Sequence, residues 1–309
     1  MKYSIGADIG GSHISCAAVN MDTSELLQDT FCTEKVNSKA PADEIIGKWT
    51  KALADCKSLL GKEEMAGIGF AMPGPFNYET GVAMHEGVDK YDSLHSLDIG
   101  SILREKLNLR ENISFRFMND ATSFAVGEAW LGKAAGRKRS MALALGTGFG
   151  SAFIEDGVPV VEREDVPELG CVWHLPYKDG IADDTFSTRW FIKQYKEYTG
   201  KEVSGAKEIH MAAASDPGAK QIFIEYFSQL GEFLAPWVIR FKAEIIIMGG
   251  NISETLGDYG SYFEDSLAKM NAPVEIARSV LKEDAAIIGS ARLLDDKFFA
   301  RVKPLLSKM

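Results

Sequence analysis

The sequence predicts an α/β protein of two related lobes, and three observations predict it. Apolar runs with strand character alternate with segments of helical period along the whole chain. Three of those runs end in glycine turns: Asp8-Ile9-Gly10-Gly11-Ser12, Leu145-Gly146-Thr147-Gly148-Phe149-Gly150 and Ile247-Met248-Gly249-Gly250-Asn251. The opening pattern, a meander around a glycine turn with helices and further strands after it, also returns from Met141 onward.

The elements follow in order. Tyr3 to Ile9, His13 to Asn20 and Glu25 to Thr33 read as an antiparallel meander. Pro41 to Leu60 is helical, with Ile45, Ile46, Trp49, Leu53, Cys56 and Leu59/Leu60 on one stripe. Ala66 to Ala71 is a short buried strand that Pro73-Gly74-Pro75 ends. Residues 73–97 carry no clear period and read as a loop. A helix (Ile99 to Leu107), a strand (Ile113 to Phe117) and a helix (Ala121 to Leu131) follow.

Met141 to Gly146, Gly150 to Ile154 and Val158 to Val161 form the second meander. Beyond residue 184 the pattern is mostly helical: Phe186 to Tyr198, Ala206 to Ala214 and Ala219 to Phe241. The strand Glu244 to Met248, a helix around Tyr259 to Met270, a strand Val274 to Ala277 and helices Ala285 to Asp295 and Asp296 to Leu306 complete the chain. The expected lobes are residues 1–118 with about 290–309, the smaller, and residues 119–289, the larger.

With 309 residues, 46% hydrophobic and 25% charged, the chain can bury a core in each lobe. A net charge of −10 argues against nucleic acid and anionic membrane surfaces as partners. No apolar run reaches the ~20 residues a membrane helix needs. The first residues lack the apolar core of a secretion signal. Cys16, Cys32, Cys56 and Cys171 stand far apart with no Cys-x-x-Cys pair, as free thiols in a reducing compartment do. The expected location is therefore cytoplasmic.

The glycine turns carry the chemistry. At Gly10-Gly11-Ser12, backbone N–H groups and a hydroxyl can approach phosphate oxygens, and Asp8 at the strand end can hold Mg²⁺ through water. Taken alone, Gly-Gly favours an ordinary hairpin. Asn119-Asp120 follows a strand and opens a helix, so it reads either as a cap worth ~1 kcal/mol or as a base for an attacking hydroxyl. Gly146-Thr147-Gly148 is a second phosphate turn or a plain hairpin. Gly249-Gly250 leads from a strand into a helix, a ready anion site. Their order in series favours transfer of the terminal phosphoryl group of ATP.

With these residues in this order, the chain resembles the ROK family of sugar kinases and sugar-responsive repressors, over nearly its whole length. The likeness is strongest at residues 4–19, 66–82, 113–154 and 244–254. The resemblance implies a two-lobed ribonuclease-H-like fold of the actin/hexokinase type, with ATP and Mg²⁺ as cofactors and a sugar as substrate. It implies that Asp120 is the catalytic base. It likewise implies that Gly10, Gly11, Ser12, Gly146, Thr147 and Gly148 line ATP's phosphates, with Gly249 and Gly250 on the adenosine side. On the sugar side it implies Gly74 in the Pro73-Gly74 turn, Asn119 and Glu168 in Pro167-Glu168-Leu169-Gly170. Relatives of this kind are often dimers or tetramers, and no segment here marks an interface.

The departures fall on the sugar side. Family members continue after that glutamate with Gly-His and a cysteine-rich zinc motif, whereas this chain reads Gly170-Cys171-Val172-Trp173-His174 with no later cysteine. Half a zinc site implies no structural zinc and leaves His174 as a partly buried or sugar-facing histidine. Asp183 or Asp184, with Asp184 preferred, stands where relatives carry a second sugar-binding glutamate. His85-Glu86 occupies the place of an asparagine in the sugar-side loop, which makes Glu86 and His85 candidate sugar contacts. His13 replaces the lysine or threonine usual after the first turn. The reading is an ATP-dependent kinase of a hexose or related sugar. The alternative is a sugar-binding regulator or sensor with weak or no kinase activity. Only seven residues precede Asp8, which argues against direct DNA binding.

Overall fold

The computed structural model describes residues 2–61, 63–88 and 90–309. Asp89, within the stretch expected as a loop, lies outside the described residues, as do Met1 and Lys62. The chain forms two compact units, residues 1–132 with 283–309, and residues 133–282.

In the first unit, strands β1 (Lys2–Ile9), β2 (His13–Asn20) and β3 (Glu25–Lys35) form the expected meander. Helix α1 (Ala42–Leu60) follows and buries Ile45, Ile46, Trp49, Ala52, Leu53, Cys56 and Leu60. Leu59 of the expected stripe is exposed, one position off that face. Strand β4 (Glu64–Met72) leads to a hairpin of β5 (Phe76–Asn77) and β6 (Val82–Ala83), inside the stretch expected as loop. Two-residue strands are too short to display a period. Helix α2 (Ile99–Lys106), β7 (Ser114–Asn119) and α3 (Asp120–Leu131) follow. The sheet order is β3-β2-β1-β4-β7, with β1, β4 and β7 parallel.

The second unit repeats this plan. Strands β8 (Arg139–Leu145), β9 (Phe149–Glu155) and β10 (Val158–Pro159) make a meander. A small hairpin, β11 (Pro176–Tyr177) with β12 (Gly180–Ile181), precedes helices α4 (Ala182–Thr185), α5 (Thr188–Thr199), α6 (Ala206–Ala212) and α7 (Pro217–Phe241). Asp216 caps α7 by accepting from Gly218 and Ala219 N–H, so this helix starts earlier than its apolar period alone indicates. Strand β13 (Ile245–Gly249), helix α8 (Leu256–Lys269) and strand β14 (Glu275–Arg278) complete it. The order β10-β9-β8-β13-β14 is the first sheet's order again, so the echo read from the sequence is a repeat of topology. Its core gathers Phe149, Phe153, Phe186, Phe191, Phe223 and Phe227 around the sheet and α7.

Helices α9 (Asp284–Ala291) and α10 (Asp296–Val302) return to the first unit. Residues 119–132 and 283–289, expected in the second lobe, belong here, so the first unit is not the smaller one. The reason is close packing of α3 on α9. A Cβ on Gly127 would stand 2.0 Å from the Ala285 carbonyl oxygen, and one on Gly289 1.8 Å from that of Ser123. Only glycine admits backbones this near to each other.

Candidate active site

In the first unit, parallel pairing brings three strand ends to one edge. Asp8 lies beside Ala71, Ala71 beside Met118 and Met72 beside Asn119. The carboxyl ends of β1, β4 and β7 thus present Asp8, Pro73 and Asn119-Asp120 in a row, the edge where parallel α/β sheets place their ligands. The Gly10 N–H donates to the His13 carbonyl at 2.9 Å and closes the first turn, leaving Gly11 and Ser12 exposed. The His13 ring hydrogen-bonds the Ser12 hydroxyl at 3.2 Å, which gives this residue a local role. Beside it a cavity of about 660 Å³ is lined by Ser12, His13, Thr33, Glu34 and Lys35.

Cap and carboxylate are divided between two residues. The Asn119 side-chain oxygen accepts from the Thr122 N–H at 3.1 Å and caps α3. Its amide nitrogen donates to the Tyr78 hydroxyl at 3.3 Å, and that hydroxyl donates to the Met72 carbonyl at 3.2 Å. Asp120 does not cap the helix and accepts a local bond from the Ala121 N–H at 2.8 Å. Burial raises the Asp120 carboxyl above the usual carboxylate range, opposed by that N–H and by the Lys90 charge. Burial, then the charges of Asp120 and Glu283, push Asp8 up to about 7.

Three acidic groups held near one another favour a cation beside them. Among the described residues no set of three or more His, Cys, Asp or Glu side chains forms a metal cage. That donor set fits Mg²⁺, which binds through one or two carboxylates, waters and substrate phosphates.

The sugar-side segment of this unit is anchored from below. The buried His85 ring donates through Nε2 to the Pro73 carbonyl at 3.1 Å, and burial lowers its pKa. Gly74 and Glu86 beside it are exposed. Tyr91, also buried, donates its hydroxyl to the Gly10 carbonyl and packs edge-on to Trp49 at 5.4 Å.

In the second unit, Gly249 pairs with Ala144, so the Gly146-Thr147-Gly148 turn and Gly250 stand at adjacent strand ends. Gly250 has φ +81°, and a Cβ there would meet the Leu145 carbonyl oxygen at 2.3 Å, so no other residue fits. The turn is braced from one side. The Phe149 N–H donates to Asp183 at 2.6 Å, and the Thr188 N–H and hydroxyl both donate to the Gly146 carbonyl at 2.8 Å. Arg189 pairs with Asp183 and donates to the Thr147 carbonyl at 3.3 Å.

The segment that carries Glu168 and His174 is stitched to this brace. The Asp183 N–H donates to the Trp173 carbonyl at 3.0 Å, and the Val172 N–H to the Ser151 hydroxyl at 2.8 Å. Glu168 is exposed on a short 3-10 turn, residues 168–170. The Cys171 thiol lies 3.7 Å from His174 Nδ1, and burial pushes it up to about 12. Asp184 accepts from the Ile181 N–H at 3.0 Å, at the start of α4. Of the two adjacent aspartates, Asp183 is therefore the one joined to the second turn.

The sequence profile of the ROK family matches residues 4–297. The chain belongs to the ROK family. A glucokinase of Thermotoga maritima is 26% identical over 95% of this chain and 97% of its own length. An N-acetyl-D-glucosamine kinase of Photobacterium profundum is 25% identical over 80% of this chain and 84% of its own. Among solved structures, a ROK hexokinase from Thermus thermophilus superposes with TM-score 0.76 at 21% identity, covering 94% of this chain and 96% of that one. The actin/hexokinase-type fold of this ROK protein is thereby established.

Four residues that surround the turns of this ROK chain escaped the sequence reading: Tyr91, Thr188, Arg189 and Lys90. Each acts on a backbone group or turn far away in the chain, so no local spacing signals it. Asp183 is one of two adjacent candidates for a sugar contact, and its bond to the second turn is a separate role.

Proposed function

We propose that this carbohydrate kinase transfers the γ-phosphoryl group of ATP to a hydroxyl of a hexose or its 2-acetamido derivative. The observation that carries the reading is the division of labour at the end of β7, where Asn119 caps the helix and leaves the Asp120 carboxylate to chemistry. Family membership and the two kinases named above support it.

In this reading Asp120 takes the proton of the sugar hydroxyl as its oxygen attacks the γ-phosphorus. A carboxyl whose pKa is raised by burial is a stronger base than an exposed one, and Asp120 is so raised. Gly11 and Ser12 offer N–H and hydroxyl donors to phosphate oxygens, with Gly10 closing their turn, and Thr147 and Gly148 are assigned the same role, with Gly146 closing theirs. Gly249 and Gly250 leave room on the adenosine side. Asp8 holds Mg²⁺ through water, and that ion neutralises charge on the β- and γ-phosphates when bound. Gly74, Glu86, Asn119, Glu168, His174 and Asp184 are assigned to the sugar.

The test is sugar-dependent ADP release with Mg·ATP across hexoses and N-acetylhexosamines, with Asp120→Asn as control. A signal from one sugar class, absent in the variant, supports the reading. Sugar binding without ADP release from any sugar would replace it with the sensor reading.

A further inference from the structure

Lys90 presents an ammonium group with which no described residue pairs. A Cβ on Gly11 would stand 3.4 Å from Lys90 Cε and 3.5 Å from Nζ, so the lysine stem lies across the tip of the first turn. Lys90 is exposed and makes no ion pair or hydrogen bond to a described residue. The charge is nevertheless close enough to Asp120 to draw its carboxyl downward. A cation that flanks both an anion-binding turn and the candidate base, yet pairs with neither, is free for a third charged group.

Its position is built, not incidental. The next residue, Tyr91, takes a left-handed backbone conformation with φ +60°, uncommon for a bulky side chain. Four contacts hold it there. Its N–H donates to the Ser38 carbonyl at 2.8 Å and its hydroxyl to the Gly10 carbonyl. Its ring stands edge-on to Trp49 at 5.4 Å and to His85 at 5.7 Å. Tyr91 thus ties the segment carrying Lys90 to the first turn by that turn's own carbonyl. Such strain persists where the surroundings over-determine it, as at functional sites.

We infer that Lys90 is the cation that binds the γ-phosphoryl group at the first turn and stabilises it during transfer to the hydroxyl that Asp120 deprotonates. The inference rests on the kinase reading. The bond between the γ-phosphorus and the oxygen bridging to ADP breaks, a bond to the sugar oxygen forms, and the hydroxyl proton goes to Asp120. Lys90 gives up no proton: it offsets charge on the equatorial oxygens, where electrostatic stabilisation is worth most. A lysine does this as a mobile point charge, whereas a guanidinium imposes a planar fork.

The experiment compares Lys90→Met and Lys90→Arg with the unaltered protein, by calorimetry with Mg·AMP-PNP and with Mg·ADP and by steady-state kinetics. Lys90 is exposed, so both variants should fold, and thermal melting checks that. For Lys90→Met the expected result is a fall in kcat of roughly 10²-fold with the sugar KM nearly unchanged. AMP-PNP should bind about tenfold more weakly and ADP as before, because only the former carries a γ-phosphoryl group, and Lys90→Arg should recover part of both losses. Unchanged kcat with an unchanged ratio of the two affinities would overturn the assignment. If the unaltered protein releases no ADP with any sugar, the kinase reading fails by itself and the calorimetric ratio decides the phosphate contact: a selective loss of AMP-PNP binding supports it, while an equal loss of both ligands or none refutes it.

Discussion

The Asp183 carboxylate accepts a hydrogen bond from the Phe149 N–H at 2.6 Å, at the exit of the Gly146-Thr147-Gly148 turn. Its second oxygen pairs with Arg189, which reaches back to the Thr147 carbonyl. The turn is therefore held at Thr147 and at Phe149 by one aspartate–arginine pair. Asp183→Ala should leave the Phe149 N–H without its partner and free Arg189, raising the KM for ATP several-fold. Stability should fall by about 1–2 kcal/mol, read by urea unfolding. Asp184→Ala, one residue along, should leave the ATP KM alone. Equal effects of the two substitutions would refute this account of the brace.

Asp120→Asn keeps a side-chain oxygen for the Ala121 N–H, so the fold should survive. The amide cannot take a proton, and kcat should drop by roughly 10²–10⁴-fold while calorimetric sugar binding stays near normal. Near-normal turnover in this variant would remove Asp120 from the role of base.

His85 makes stability depend on pH. Burial lowers its pKa, so the folded protein binds its proton less readily than the unfolded chain does. The stability it contributes is complete above the unfolded value of about 6.5 and is lost as pH falls through that value toward the lower folded one. Asp8 and Asp120, whose carboxyls are raised in the folded protein, act with the opposite sign over pH 7.5 to 5, so the His85 contribution is read as a difference: on lowering the pH, the urea midpoint of His85→Gln should gain relative to that of the unaltered protein. Identical slopes for the two proteins would mean that another group titrates.

Gly289→Ala tests the packing of α3 on α9. The new methyl would meet the Ser123 carbonyl oxygen at 1.8 Å, a backbone atom that no rotamer change can move. A loss of about 3 kcal/mol or more is expected in denaturant unfolding. At the exposed Gly257, where a Cβ would meet nothing within 4 Å, the same change should not destabilise. A fully stable Gly289→Ala protein would show that the two helices separate easily.

Much of the site was legible because its residues sit where strands end. A strand, a turn and a capping residue are local features, and Asp8, Asn119-Asp120, Gly146-Thr147-Gly148 and Gly249-Gly250 all carry local signatures. Lys90 and Tyr91 lie in a segment without period, and their meaning comes from Gly10 and Gly11, some eighty residues earlier. The bond from the Phe149 N–H to Asp183 joins groups more than thirty residues apart, a contact invisible to spacing. The unit boundaries were misread because α3 and α9 meet through alanine, glycine and serine, which leave no apolar stripe.

Helix α9, which follows residues 133–282 in the chain, completes the first unit. The Ile287 carbonyl sits over Gly6, and the Ser290 carbonyl over Gly69, in two strands that the ribosome releases long before it. During synthesis the N-terminal sheet must therefore wait with an uncovered apolar face, while residues 133–282, uninterrupted in the chain, can complete their own core first. A nascent chain halted before residue 284 should therefore be a client for chaperones.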